Sequence, residues 1–110
     1  MIKVTVFKEG STGNLKGYSF KGHAGFDDTG KDIVCSAASV LAINTANSIE
    51  KFADDETEVI SSGNEGDLTL KFKGVPSENA VLLVNSMVLG VESIIESYGE
   101  NFISLSFKEV

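Results

Sequence analysis

The segment Asp32-Ile33-Val34-Cys35-Ser36-Ala37-Ala38-Ser39-Val40-Leu41-Ala42-Ile43, continuing through Ile49 to Phe52, decides how this chain folds. Val34, Ala38, Leu41, Ile49 and Phe52 recur at helical spacing, and Ile33, Ala37, Val40 and Ile43 widen the apolar side. A face this broad predicts a long helix buried against a sheet. Asp32 stands where its carboxylate can accept from a backbone N–H two or three residues ahead. It is therefore expected to cap the helix, which puts Cys35 in the first turn.

Strand patterns flank this helix on both sides. Ile2, Val4 and Val6 share one parity opposite Lys3 and Thr5, and Tyr18 and Phe20 alternate with Gly17, Ser19 and Lys21 across a turn-rich stretch from Glu9 to Asn14. That is a hairpin with one buried face. Three glycines and two adjacent aspartates between Gly22 and Gly30 predict an irregular loop leading into the helix. Beyond the helix, residues 57–61 and the alternating Leu68, Leu70 and Phe72 form a second hairpin around a turn at residues 62–67. Pro76 and Ser77 open a second long helix with the stripe Val81, Val84, Val88, Val91, Ile95 and Tyr98, and Gly99 supplies its stop. Ile103, Leu105 and Phe107 alternate in a closing strand. The expected fold is α+β with the order ββαββαβ, two long helices on one face of a mainly antiparallel sheet of four to five strands.

A chain of 110 residues holds one core, so residues 1–110 are read as a single domain. One cysteine cannot make an internal disulfide, which suits a reducing compartment. The stretch Met1 to Phe7 alternates like a strand and lacks a signal-peptide pattern, and the longest apolar run, Ala80 to Val84, is too short to span a bilayer. The expectation is a cytoplasmic protein with no membrane partner. A formal charge of −7 without a basic patch disfavours direct nucleic-acid binding and favours a basic polypeptide. Leu82 and Leu89, one heptad apart on the otherwise polar side of the second helix, are either scattered surface leucines or a small dimer contact.

The chain holds one histidine, His23, and one cysteine, Cys35, separated by the glycine-bracketed loop. A thiolate is the reactive form of cysteine, and a helix N-terminus favours negative charge. With His23 taking the thiol proton and later delivering it to a leaving amine, the pair could cleave a peptide. Backbone N–H groups near Cys35 and Ser36 would then bind the oxyanion, while Ser36, Ala37 and Ala38 leave room for substrate. Ser39, one turn after Cys35, is placed to hydrogen-bond the thiol or the imidazole. The residues alone leave other readings open. Cys35 beside Ile33 and Val34 also reads as a small buried hydrophobe, and His23 shares the polar parity of Lys21 and Ser19 unless a bend at Gly22 redirects it. Asp27 and Asp28 read as turn formers, and one Cys with one His is too few ligands for a closed zinc site. No metal or cofactor is expected.

The run Gly22-His23-Ala24-Gly25-Phe26-Asp27-Asp28-Thr29-Gly30-Lys31-Asp32-Ile33-Val34-Cys35-Ser36-Ala37-Ala38-Ser39 resembles the signature of the ribosomal-processing cysteine protease family, Prp. The resemblance implies Cys35 as nucleophile and His23 as general base, with Asp32 and Ser39 at the family's further polar positions; Ser36, supporting through its backbone N–H, stands where alanine is also allowed. It also implies a substrate loop that includes Gly22, Gly25, Phe26 and Gly30. By the same resemblance the protein is a cytosolic homodimer. It would remove the N-terminal extension, cut after a phenylalanine-containing motif, from a basic large-subunit ribosomal protein precursor. Two rival classes fit the residues without the resemblance: a non-catalytic ribosome-assembly or peptide-binding module, and a redox-responsive regulator. The second would need an intermolecular disulfide or a small-thiol adduct, since no resolving cysteine is present.

Overall fold

The computed structural model describes residues 1–22, 29–61 and 67–110, with side chains in the first helix described from residue 33 onward. The elements run β1 (Ile2–Lys8), β2 (Leu15–Lys21), α1 (Thr29–Phe52), β3 (Thr57–Ser61), β4 (Leu68–Phe72), α2 (Glu78–Tyr98) and β5 (Ile103–Glu109), the expected ββαββαβ order. The five strands form one sheet in the order β3-β4-β2-β1-β5. Three neighbouring pairs are antiparallel, and β5 joins the far edge parallel to β1. The parallel pair follows from connectivity: α2 carries the chain from β4 back across the sheet, so β5 enters along β1 in the same direction.

Strand alternation decides which side is covered. Val4 pairs with Phe20 and Leu105, Val6 with Tyr18 and Phe107, and Tyr18 with Leu70, so these residues share the face under the helices. Val4, Val6, Tyr18, Phe20 and Leu70 are all fully buried. Burying a Val, Leu or Phe side chain of this kind contributes about 1.5–3 kcal/mol. The Tyr18 hydroxyl crosses the layer and donates to the Ala42 carbonyl of α1 at 2.9 Å, which satisfies the phenol inside the core. Desolvation by that burial pushes its pKa upward.

The two helices differ from their sequence-based faces. In α1 the buried seam is Val34, Ala38, Ala42, Thr45 and Ile49, whereas Ile33, Val40, Ile43 and Phe52 are exposed; Val40 keeps 64% and Phe52 62% of their surface. The apolar side is wider than the sheet can cover, and the sheet accepts the narrow seam with small residues at its centre. In α2 the buried residues are Ala80, Val84, Met87, Val91 and Ile94, with Val81, Val88 and Ile95 packed at the margin and Tyr98 exposed. The seam keeps Val84 and Val91 of the valine stripe and shifts by one residue at the alternate positions, to Ala80, Met87 and Ile94. By length and hydropathy both helices would suffice to cross a bilayer, and both here lay their buried stripe on the core.

The α2 termini match their signals. Ser77 has extended backbone angles, and its hydroxyl accepts from the Ala80 N–H at 3.2 Å, an N-cap bond. Gly99 ends the helix at φ 91° and donates its N–H to the Ile95 carbonyl at 2.7 Å. The start of α1 does not match. The helix begins at Thr29, inside the stretch read as loop, so Gly30 is helical and Asp32 is the fourth helical residue instead of the cap. An aspartate is favoured both at the cap and in the first turn by the helix dipole, so its identity alone does not separate the two positions.

Candidate active site

Cys35 is the seventh residue of α1, in its second turn, not its first. Its side chain is partly buried and packs against the core cluster, next to the fully buried Val34. The longer helix corrects the expected oxyanion donors. Only the N–H groups of the cap and the first three helical residues lack an intrahelical acceptor, and within α1 these belong to residues 29–31, not to Cys35 and Ser36. Ser36 is exposed and Ser39 is half-buried on the side facing the second hairpin.

A crevice of about 120 Å³ opens one turn beyond the thiol, lined by Ser39, Ala42 and Ile43 of α1 and by Ser61, Asp67 and Leu68 of the second hairpin. Ile43 and Leu68 also border a larger groove of about 690 Å³ that continues between α1 and the edge strand β3, past Ala46 and Val59 to Glu50 and Asp54. An apolar floor with carboxylates at its far end suits an extended, basic peptide segment.

The end of β2 is held from the same hairpin. Gly22 has φ 97°, and a Cβ there would collide with the Met1 carbonyl oxygen, so the position requires glycine. Its N–H donates to Asp67 Oδ1 at 2.8 Å, and Ser61 Oγ donates to the Asp67 carbonyl at 3.3 Å. Asp67 was not among the residues singled out by sequence. It sits in a run of turn formers, and only the antiparallel pairing of β2 with β4 brings it to Gly22. His23, Gly25 and Phe26 lie outside the described residues, as does the side chain of Asp32. No cluster of three or more metal-ligating side chains occurs among the described residues.

The model of the family described as Cysteine protease Prp matches residues 1–103. The ribosomal processing cysteine protease Prp of Staphylococcus aureus strain Mu50 is 27% identical over 107 residues, covering 97% of each chain. Two crystal structures of the S. aureus protease superpose closely. One, with a covalently linked product peptide, gives a TM-score of 0.84 at 27% identity, and the other, with a substrate peptide, gives 0.85 at 25%; both cover 98% of this chain and all of the other. The fold, the helix-borne thiol and these likenesses together define the class: a cysteine protease. Within that class, the chain belongs to the Prp family.

Proposed function

We propose that this chain is a cysteine endopeptidase that removes the N-terminal extension of a large-subunit ribosomal protein, with Cys35 as nucleophile and His23 as its proton-transfer partner. The observation that carries the reading is Cys35 itself: the sole thiol stands on α1, one turn from a crevice that opens into a peptide-sized groove, in a chain of the Prp family. The S. aureus relative bound to a substrate peptide and to a covalent product peptide supports the same chemistry here.

The reaction proceeds in two balanced halves. The Cys35 sulfur attacks the scissile carbonyl while His23 holds the thiol proton. The C–N bond then breaks, the proton leaves with the amine, and a thioester remains on Cys35. Water, deprotonated by His23, adds to the thioester, and the thiol departs with that proton as the acid product is released. Ser39 lines the approach, and the amides of residues 29–31 are the helix donors open to an oxyanion. The net charge of −7 and the carboxylates of the groove favour a basic ribosomal tail. The protein works in the cytoplasm as one domain spanning residues 1–110, and it pairs as a homodimer through Leu82 and Leu89, which keep 67% and 66% of their surface.

The test is a peptide spanning the phenylalanine-containing ribosomal tail, incubated with wild type and with Cys35→Ala, the products being weighed by mass spectrometry. Wild type is expected to give one cut after the phenylalanine motif, and Cys35→Ala none while keeping the wild-type melting temperature. Cleavage by Cys35→Ala at the wild-type rate removes the assignment.

A further inference from the structure

Backbone pairing between β2 and β4 ends at Phe20 and Leu68. Two residues later the chain leaves the sheet at Gly22, the residue joined directly to His23. The contact that holds this exit is made by a side chain: Asp67 Oδ1 accepts the Gly22 N–H at 2.8 Å, continuing the ladder past its last backbone pair. Gly22 has no Cβ and holds a φ of 97°, a conformation a glycine can readily leave, so the bond to Asp67 helps to fix the path the chain takes there. Asp67 is itself fixed through its carbonyl by Ser61 Oγ of β3, and it lines the crevice with Ser39, one turn from Cys35.

We propose that Asp67 is a positioning residue for peptide hydrolysis, acting through Gly22 to set the path on which His23 leaves β2 relative to the thiol-bearing helix. The proposal rests on the assignment of Cys35 and His23 made above. Gly22 and Asp67 are both partly open to solvent, so water can replace the lost acceptor at little cost to folding. Geometry is more sensitive, since a displacement on the order of 1 Å at a reacting group is enough to slow the chemistry about 100-fold. An asparagine keeps an acceptor oxygen at the same reach; an alanine has none.

The experiment compares cleavage of the ribosomal-tail peptide by wild type, His23→Ala, Cys35→Ala, Asp67→Ala and Asp67→Asn, with melting temperatures and active-site titration of each. Asp67→Ala is expected to lose about 10- to 100-fold in kcat with KM moved by less than about threefold, and Asp67→Asn to return kcat to within about threefold of wild type. If Asp67→Ala does not fold, Asp67→Ser replaces it with the same expectation, since its hydroxyl keeps the turn but is too short to reach Gly22. Wild-type cleavage by His23→Ala or Cys35→Ala overturns the dyad and this proposal with it. Loss of activity in both of those variants, with wild-type kcat per titrated site in Asp67→Ala, overturns the positioning role alone and leaves the dyad standing. So does an Asp67→Asn variant as slow as Asp67→Ala.

Discussion

The two helices lie on the same sheet but are fastened to it differently. The seam of α1 is built around Ala38, Ala42 and Thr45, and at its centre the Tyr18 hydroxyl reaches up to the Ala42 carbonyl. The seam of α2 carries Val84, Met87, Val91 and Ile94 and is closed at its start by a cap that is itself tethered, since Asp55 of the α1–β3 connection accepts from the Ser77 N–H at 2.7 Å. Small residues line the middle of the α1 seam, and larger ones that of α2. The helices meet where Gly90 faces Leu41. The difference teaches a division of labour: α2 supplies buried volume, whereas α1 is held over the sheet through small residues and the Tyr18 bond, and it is α1 that carries the thiol.

Truncation should therefore hurt α2 most, and enlargement should hurt α1. Met87→Ala is expected to lose about 2–5 kcal/mol in chemical denaturation, the transfer and cavity terms together, while the folded fraction keeps its kcat. Ala42→Leu adds volume at a buried position beside the Tyr18 hydroxyl and is expected to cost about 1–3 kcal/mol. Unlike Met87→Ala, it should also lower kcat per folded molecule, because α1 must move; equal kcat in the two variants would erase the distinction. Ser77→Ala removes the α2 cap for about 1 kcal/mol, read as a shift in denaturation midpoint with unchanged slope. An effect of similar size belongs to Tyr18→Phe, about 0.5–1.5 kcal/mol, with the ring still packed and only the bond to Ala42 lost.

The strands and the ends of α2 were readable because their signals are local and do not compete. Ile2, Val4 and Val6 alternate over one face, Ser77 is the cap-forming residue before an apolar stripe, and Gly99 alone can take the positive φ at its end. The start of α1 was not readable, since Asp27, Asp28, Thr29 and Asp32 are all suited to a helix N-terminus and capping chemistry does not rank them. Burial on α1 failed for a different reason. Val40 and Ile43 are apolar enough for a core, but which apolar residues are covered depends on the width of the sheet beneath, a tertiary quantity. For the site, Cys35 and His23 stood out by being single of their kind and by the family signature around them. Asp67 could not stand out, because an aspartate closing a turn looks the same whether its carboxylate faces water or holds Gly22.

The most direct measurement is the mass of the enzyme during turnover. A reaction with the ribosomal-tail peptide, acid-quenched in the first turnovers and mapped by proteolysis and mass spectrometry, should show an acyl group on the peptide that contains Cys35. Its added mass should equal the N-terminal product less one water, and it should be absent from Cys35→Ala. Product formation with no adduct at Cys35, together with undiminished cleavage by Cys35→Ala, would contradict the account.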